Sequence, residues 1–121
     1  MAWQVTFYQE FDLEFDALPL AVQDTMFAHL TLLERFGPQL GRPHVDTLKG
    51  SRHANMKELR FDADGGAWRV AFAFDPKRHA ILLVCGDKAG GGEKQFYKRL
   101  IGKADKRFDA HLASLKTGRK L

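Results

Sequence analysis

Apolar side chains recur along this chain with two periods, and each period predicts an element. Residues 3–8 (WQVTFY) are rich in aromatic and β-branched side chains and predict a first strand. Residues 11–18 fit a short helical turn. Leu18-Pro19 then opens a longer helix, because proline is tolerated at a first helical position. Val22, Met26, Leu30, Leu33 and Phe36 step by three and four and form one apolar stripe, which Gly37-Pro38 terminates. Residues 39–50 read as a connector rich in glycine and proline.

The period then shortens to two. Residues 55–61 alternate imperfectly, with Met56, Leu59 and Phe61 apolar and Lys57, Glu58 and Arg60 between them. Asp64-Gly65-Gly66 signals a hairpin turn. Residues 67–74 (AWRVAFAF) predict the next strand, and Asp75-Pro76-Lys77-Arg78 a second turn. Residues 80–86 (AILLVCG) are the most apolar run and predict the central, most buried strand. These connections are too short for crossovers, so the three strands form an antiparallel meander. After a glycine-rich hinge at 89–92, residues 93–115 predict a last helix. In it Phe96, Leu100, Ala104, Phe108 and Leu112 step by four. The tail 117–121 is expected to fray. The order is β–α–β–β–β–α: an α+β single domain over 1–121, with a twisted antiparallel sheet and helices segregated to one side.

Composition adds constraints. With 121 residues and 45% apolar content, one core can form without staples. The one cysteine, Cys85, rules out an internal disulfide and a cysteine-cluster metal site, and inside an apolar strand it reads as a small core residue. The N-terminus lacks the pattern of a signal peptide, and no apolar run approaches the roughly 18 residues of a membrane span. A cytoplasmic protein is the expectation. The net charge of +4 is unevenly spread: residues 1–48 carry two basic and seven acidic residues (−5), residues 49–121 seventeen and eight (+9). That asymmetry fits either a solvated surface or a polyanionic partner such as nucleic acid.

Among single residues, Arg69 stands out, because its charge interrupts an otherwise apolar strand. Glu58 and Arg60 share one strand face and are candidates for an ion pair. Lys49, Arg52, His53 and Lys57 make the approach to that strand basic. Lys94, Lys98 and Lys103 do the same for the last helix. His29 and His111 lie beside apolar stripes and read as packing residues. No histidine, cysteine or carboxylate spacing points to a metal, and no glycine pattern to a nucleotide cofactor.

Three segments carry a resemblance. HVDTLKGSRHANMKELRF, WRVAFAFD, and LLVCGDK followed by FYKRLIGKADKRF resemble, in this order, the phage-derived Gp49-like, HigB-type toxins of the RelE/ParE superfamily. The likeness covers roughly residues 43–115. It implies a twisted antiparallel sheet cupping a basic cleft, with N-terminal helices packed on one face and a C-terminal basic helix, and metal-independent, ribosome-dependent cleavage of messenger RNA without a cofactor. It also implies a helix-turn-helix antitoxin as partner. It puts Arg69 at the strand arginine facing the cleft, the alternatives being an edge-facing arginine or one paired with Glu58, and it favours Lys88 at the rim; the residues themselves add Arg60, Glu58 and Tyr97 as further catalytic candidates. Lys49, Arg52, His53, Lys57, Lys94, Lys98 and Lys103 then become RNA-binding candidates. Glu58 fits either a general base or a group that orients Arg60. Tyr97 fits a proton donor, a base-stacking ring or a half-buried helix residue. Two other readings stay open: a ParE-like inhibitor of DNA gyrase, and a nucleic-acid-binding module without catalysis.

Overall fold

The structure, a computed structural model, describes residues 3–117. Its elements are β1 (Gln4–Phe7), α1 (Gln9–Asp16), α2 (Leu20–Phe36), a 3₁₀ turn (Gly37–Gln39), β2 (Val45–Thr47), β3 (Lys57–Ala63), β4 (Gly66–Phe74), β5 (His79–Asp87) and α3 (Glu93–Lys116). The expected fraying of the tail falls, beyond Thr117, outside the described residues.

The meander forms as the turn chemistry dictates. Asp64 (φ 51°) and Gly65 (φ 76°) both take the left-handed region that a two-residue hairpin loop needs. They set β3 against β4 with Glu58 opposite Ala71 and Arg60 opposite Arg69. β4 pairs in turn with β5, Arg69 opposite Gly86. Two additions escaped the sequence pattern. β1 joins β5 in parallel, and β2, a three-residue strand inside the expected connector, lines β3. The sheet order is therefore β1-β5-β4-β3-β2. The central strand is β4, not the 80–86 run, because β1 and β2 extend the meander on both sides.

Alternation along β3 to β5 divides the core in two. On one face Leu59, Phe61, Val70, Phe72 and Leu82 pack against Phe11 and Phe15 of α1 and Val22, Met26, Leu30 and Leu33 of α2. On the other, Ala71, Ala73, Ile81 and Leu83 pack against Leu100, Ala104 and Phe108 of α3. The helices are thus not segregated to one side. The continuous apolar run of β5 is buried on both faces, and a strand of that kind needs cover on both. Here α3 supplies the second layer. Among the described residues no helix is long and apolar enough to cross a membrane.

Candidate active site beneath the last helix

The face under α3 holds a compact charged cluster. Alternation places Glu58, Arg60 and Arg69 on this face, and the register sets the two arginines side by side. Tyr97 enters from the second turn of α3. The helix comes this close because residue 86 is glycine: a Cβ there would meet Phe96 Cε1 at 2.9 Å. The Tyr97 hydroxyl donates to Glu58 Oε1 at 2.7 Å. Arg69 Nε lies 3.8 Å from the same oxygen, and Arg69 Nη1 donates to the Trp68 carbonyl at 2.9 Å.

The Arg69 and Glu58 side chains are only 8% and 9% exposed, and Arg69 Nε has no hydrogen-bond partner among the described residues. A buried ion pair contributes little net stability, since desolvation offsets its attraction. An unsatisfied buried donor costs about 1–3 kcal/mol. The cluster is therefore not explained by the stability it brings. Burial, and then donation to Glu58, push the Tyr97 phenol above its ordinary pKa, with Arg69 pulling partly back. Tyr97 keeps its proton at neutral pH and can donate it.

The other catalytic candidates sit around this centre. Arg60 does not pair with Glu58; it approaches Asp46 Oδ2 at 3.8 Å and stays partly exposed. Lys88 follows β5, its backbone N–H bonded to the Ala67 carbonyl, and its Nζ lies 3.6 Å from Glu93 Oε1. Among the described residues no hydrogen bond or ion pair joins it to the cluster.

The RNA-binding candidates divide. Lys57 shares its face with Leu59 and faces away from Glu58, by strand alternation. Lys49, Lys94, Lys98 and Lys103 are exposed. Arg52 and His53 are instead tied to α3. Asp105 accepts hydrogen bonds from the Ser51 hydroxyl and from the Arg52 N–H. Asp109 takes the Arg52 guanidinium and, at 2.7 Å, His53 Nε2. These contacts hold Asp109 below the ordinary carboxylate range, Arg52 first and His53 next.

Sequence reasoning missed Asp105 and Asp109, because their partners lie 53 to 57 residues away and no local pattern marks them. It also placed His111 as a packing residue. That ring does stack near Phe108, but its Nε2 meets Asp75 Oδ2 at 2.8 Å as well. Burial alone raises the Asp75 carboxyl. Hydrogen bonds from His111 and from the N–H groups of His79 and Lys77 outweigh that and hold it low. His29 does pack, against Phe61 and His44. Cys85 is half-buried against the core, and burial, then Glu14, push its thiol up to about 12, so it is an unreactive thiol at neutral pH. Among the described residues no group of three or more His, Cys, Asp or Glu side chains is placed to hold a metal ion.

Known proteins are similar to this chain in sequence and in fold. Residues 13–109 match the family described as Phage derived protein Gp49-like (DUF891). The chain is 50% identical over 91 residues to the candidate toxin HigB2 of Mycobacterium tuberculosis, covering 74% of this chain and 45% of that protein. It is 52% identical over 85 residues to the candidate toxin HigB3 of the same organism, covering 70% of this chain and 72% of that protein. The matched part thus spans less than half the length of HigB2. A mutant of the E. coli toxin RelE, solved in the free state, has the same fold. Its TM-score is 0.63 at 14% identity, over 88% of this chain and 98% of that one.

Proposed function

The chain belongs to the phage-derived Gp49-like family, and from that premise we propose that it is the toxin of a toxin–antitoxin pair, an endoribonuclease that cleaves messenger RNA on the ribosome. The observation that carries this reading is the Tyr97–Glu58–Arg69 cluster: a nine-tenths buried arginine with an unsatisfied Nε, beside a second arginine, a carboxylate and a protonated phenol.

Those groups match the demands of RNA transesterification. The 2′-oxygen attacks phosphorus while the bond to the 5′-oxygen breaks, leaving a 2′,3′-cyclic phosphate and a 5′-hydroxyl. Glu58 takes the 2′-hydroxyl proton, and Tyr97 returns one to the leaving 5′-oxygen. Arg69, with Arg60 beside it, meets the charge that grows on the phosphoryl oxygens, for which a planar guanidinium fork is well shaped. Because Arg69 and Glu58 are buried in the free chain, the phosphate enters as Tyr97 and its turn of α3 shift. Gly90-Gly91-Gly92, immediately before α3, give the backbone that freedom. A cognate antitoxin and the basic flank of α3, facing RNA, complete the reading.

Expression without an antitoxin is the test. Growth should stop, translation should fall before RNA synthesis, and mapped 5′ ends should accumulate within translated messages. Arg69→Ala should abolish all three in a chain that still folds, checked by circular dichroism. DNA breaks that require gyrase, with intact messages, would place the chain with gyrase inhibitors. Binding of RNA without cleavage would make it a non-catalytic module.

A further inference from the structure

β5 carries one residue more than the strand it pairs with. Toward its start Leu82 lies opposite Phe72, and toward its end Val84 lies opposite Ala71, so Leu83 is a bulge with no residue facing it on β4. The packing agrees. The consecutive residues Leu83 and Val84 both pack on the α3 side, whereas Leu82 and Cys85 pack on the other. We propose that Arg107 of α3 fastens this bulge and thereby positions the Arg69–Glu58–Tyr97 cluster for cleavage. The inference rests on the RNA-cleaving reading above and adds to it a positioning residue that touches no reacting atom.

The bulge decides what lies beside Arg69. A ladder continued without a break from the Phe72–Leu82 pair would set Cys85 opposite Arg69; the extra residue sets Gly86 there instead. Directly opposite residues of an antiparallel pair project on the same face. In the unbroken ladder the Cys85 side chain would therefore stand where α3 now packs. Even one carbon is too much there, since a Cβ on Gly86 would meet Phe96 Cε1 at 2.9 Å. Phe96 precedes Tyr97 in the same helical turn, so the approach of Tyr97 to Glu58 depends on this register.

Arg107 is placed to hold it. Its Nη1 donates to the carbonyl of Leu83, the bulged residue, at 2.7 Å. The same guanidinium forks onto Glu14 of α1, Nη1 to Oε1 at 3.0 Å and Nη2 to Oε2 at 2.6 Å. Its Cζ lies 5.8 Å from the centroid of the Tyr8 ring, and the side chain is only 12% exposed. A bulge interrupts the ladder, and a charge-assisted donor of fixed fork geometry is suited to pin it. Arg107 also follows Tyr97 by ten residues of one helix, roughly 15 Å along its axis. Anchoring Arg107 on β5 and α1 therefore fixes where Tyr97 stands over the sheet.

Arg107→Met keeps the stem and removes the donors. In single-turnover cleavage of ribosome-bound message, at a temperature where circular dichroism shows the variant folded, the rate at saturation should fall about 10²-fold, the effect of misplacing reacting groups by roughly 1 Å. The half-saturating concentration should hold, because no group assigned to RNA binding is lost. Arg107→Lys retains a donor for the Leu83 carbonyl without the fork and should recover part of the rate. Independently of cleavage, the amides of residues 83–86 should exchange with solvent faster in ¹⁵N-labelled Arg107→Met than in wild type, and the Arg69 Nε–H signal should shift. Should Arg107→Met fail to fold, Arg107→Lys and Gly86→Ala carry the test. The second leaves Arg107 in place, crowds Phe96 and should slow cleavage with the half-saturating concentration again unchanged. A lower melting temperature with wild-type rate, exchange and Arg69 signal would make Arg107 a helix anchor only and overturn the proposal, as would wild-type rates in both Arg107→Lys and Gly86→Ala. Altered exchange and a shifted Arg69 signal in a chain whose wild type cuts no RNA would keep the hold of Arg107 on the cluster and remove the ribonuclease reading.

Discussion

The two faces of the sheet do different work with different side chains. The face under α1 and α2 is built from large apolar groups: Phe11, Phe15, Phe61, Phe72 and Met26 are buried there. The face under α3 mixes small groups, Ala71, Ala73 and Ala104, with larger ones, Ile81, Leu83, Leu100 and Phe108. Among the described residues the four buried charged ones, Glu58, Arg69, Asp75 and Asp105, lie on α3 or belong to clusters that its residues complete. One face maximises apolar burial, the dominant favourable contribution to folding. The other accepts desolvated charge, which adds little stability, and it holds the groups to which catalysis is assigned in the proposal above. The lesson is that apolar burial and desolvated charge are separated here by the thickness of one sheet.

The largest effects should distinguish the faces most clearly. Phe11→Ala removes a fully buried ring from the apolar face and should cost about 3–5 kcal/mol in denaturant unfolding. On the other face, Arg69→Met combined with Glu58→Leu replaces the buried pair by apolar side chains of similar size and leaves neither charge stranded. That double variant should unfold at the wild-type denaturant concentration or above it. It should also reduce single-turnover cleavage by at least about 10²–10³-fold, the effect of losing one such electrostatic donor. If it unfolds as readily as Phe11→Ala, the two faces do not divide the labour in this way.

Glu58→Gln sharpens the assignment within the charged face. Loss of a general base should slow cleavage by about 10²-fold or more, whereas loss of a group that only orients Arg69 and Tyr97 should slow it less. A Glu58→Gln enzyme that cuts at the wild-type rate removes Glu58 from the chemistry altogether.

Acid should loosen the charged face before the apolar one. Asp75 and Asp109 have pKa values lowered in the folded chain. Their contribution is therefore present above the unfolded value, about 3.9, and is lost as pH falls through the lower folded values. The melting temperature should drop across that window, and Asp75→Asn should make the drop shallower. A pH–stability profile identical in Asp75→Asn would show that the link between α3 and the β4–β5 turn contributes nothing to it.

The smallest effect concerns the outer flank of α3. Replacing Lys98, Lys103 and Lys106 with Glu should weaken RNA binding and flatten its salt dependence, by a log–log slope of about 0.7 for each phosphate no longer neutralised. Unchanged affinity would mean that this basic flank is only solvated surface.

Much of this architecture was legible in the chain itself. Periodicity placed α2, the three meander strands and α3, because each buries a stripe whose spacing is fixed by its own backbone geometry. The turn residues fixed the register of β3 against β4, and with it the juxtaposition of Arg60 and Arg69. Arg69 was conspicuous because a charge in an apolar strand is costly wherever the strand ends up. What the tertiary structure decided was which distant segments meet. It placed β1 on β5 and β2 on β3, and it laid α3 across the second face of the sheet, bringing Tyr97 to Glu58 and Asp109 to His53 across 39 and 56 residues. Local patterns carry the period of one element. They carry no record of the packing of separate elements, which is set by the total apolar area that must be covered and by the few polar groups that find partners once it is.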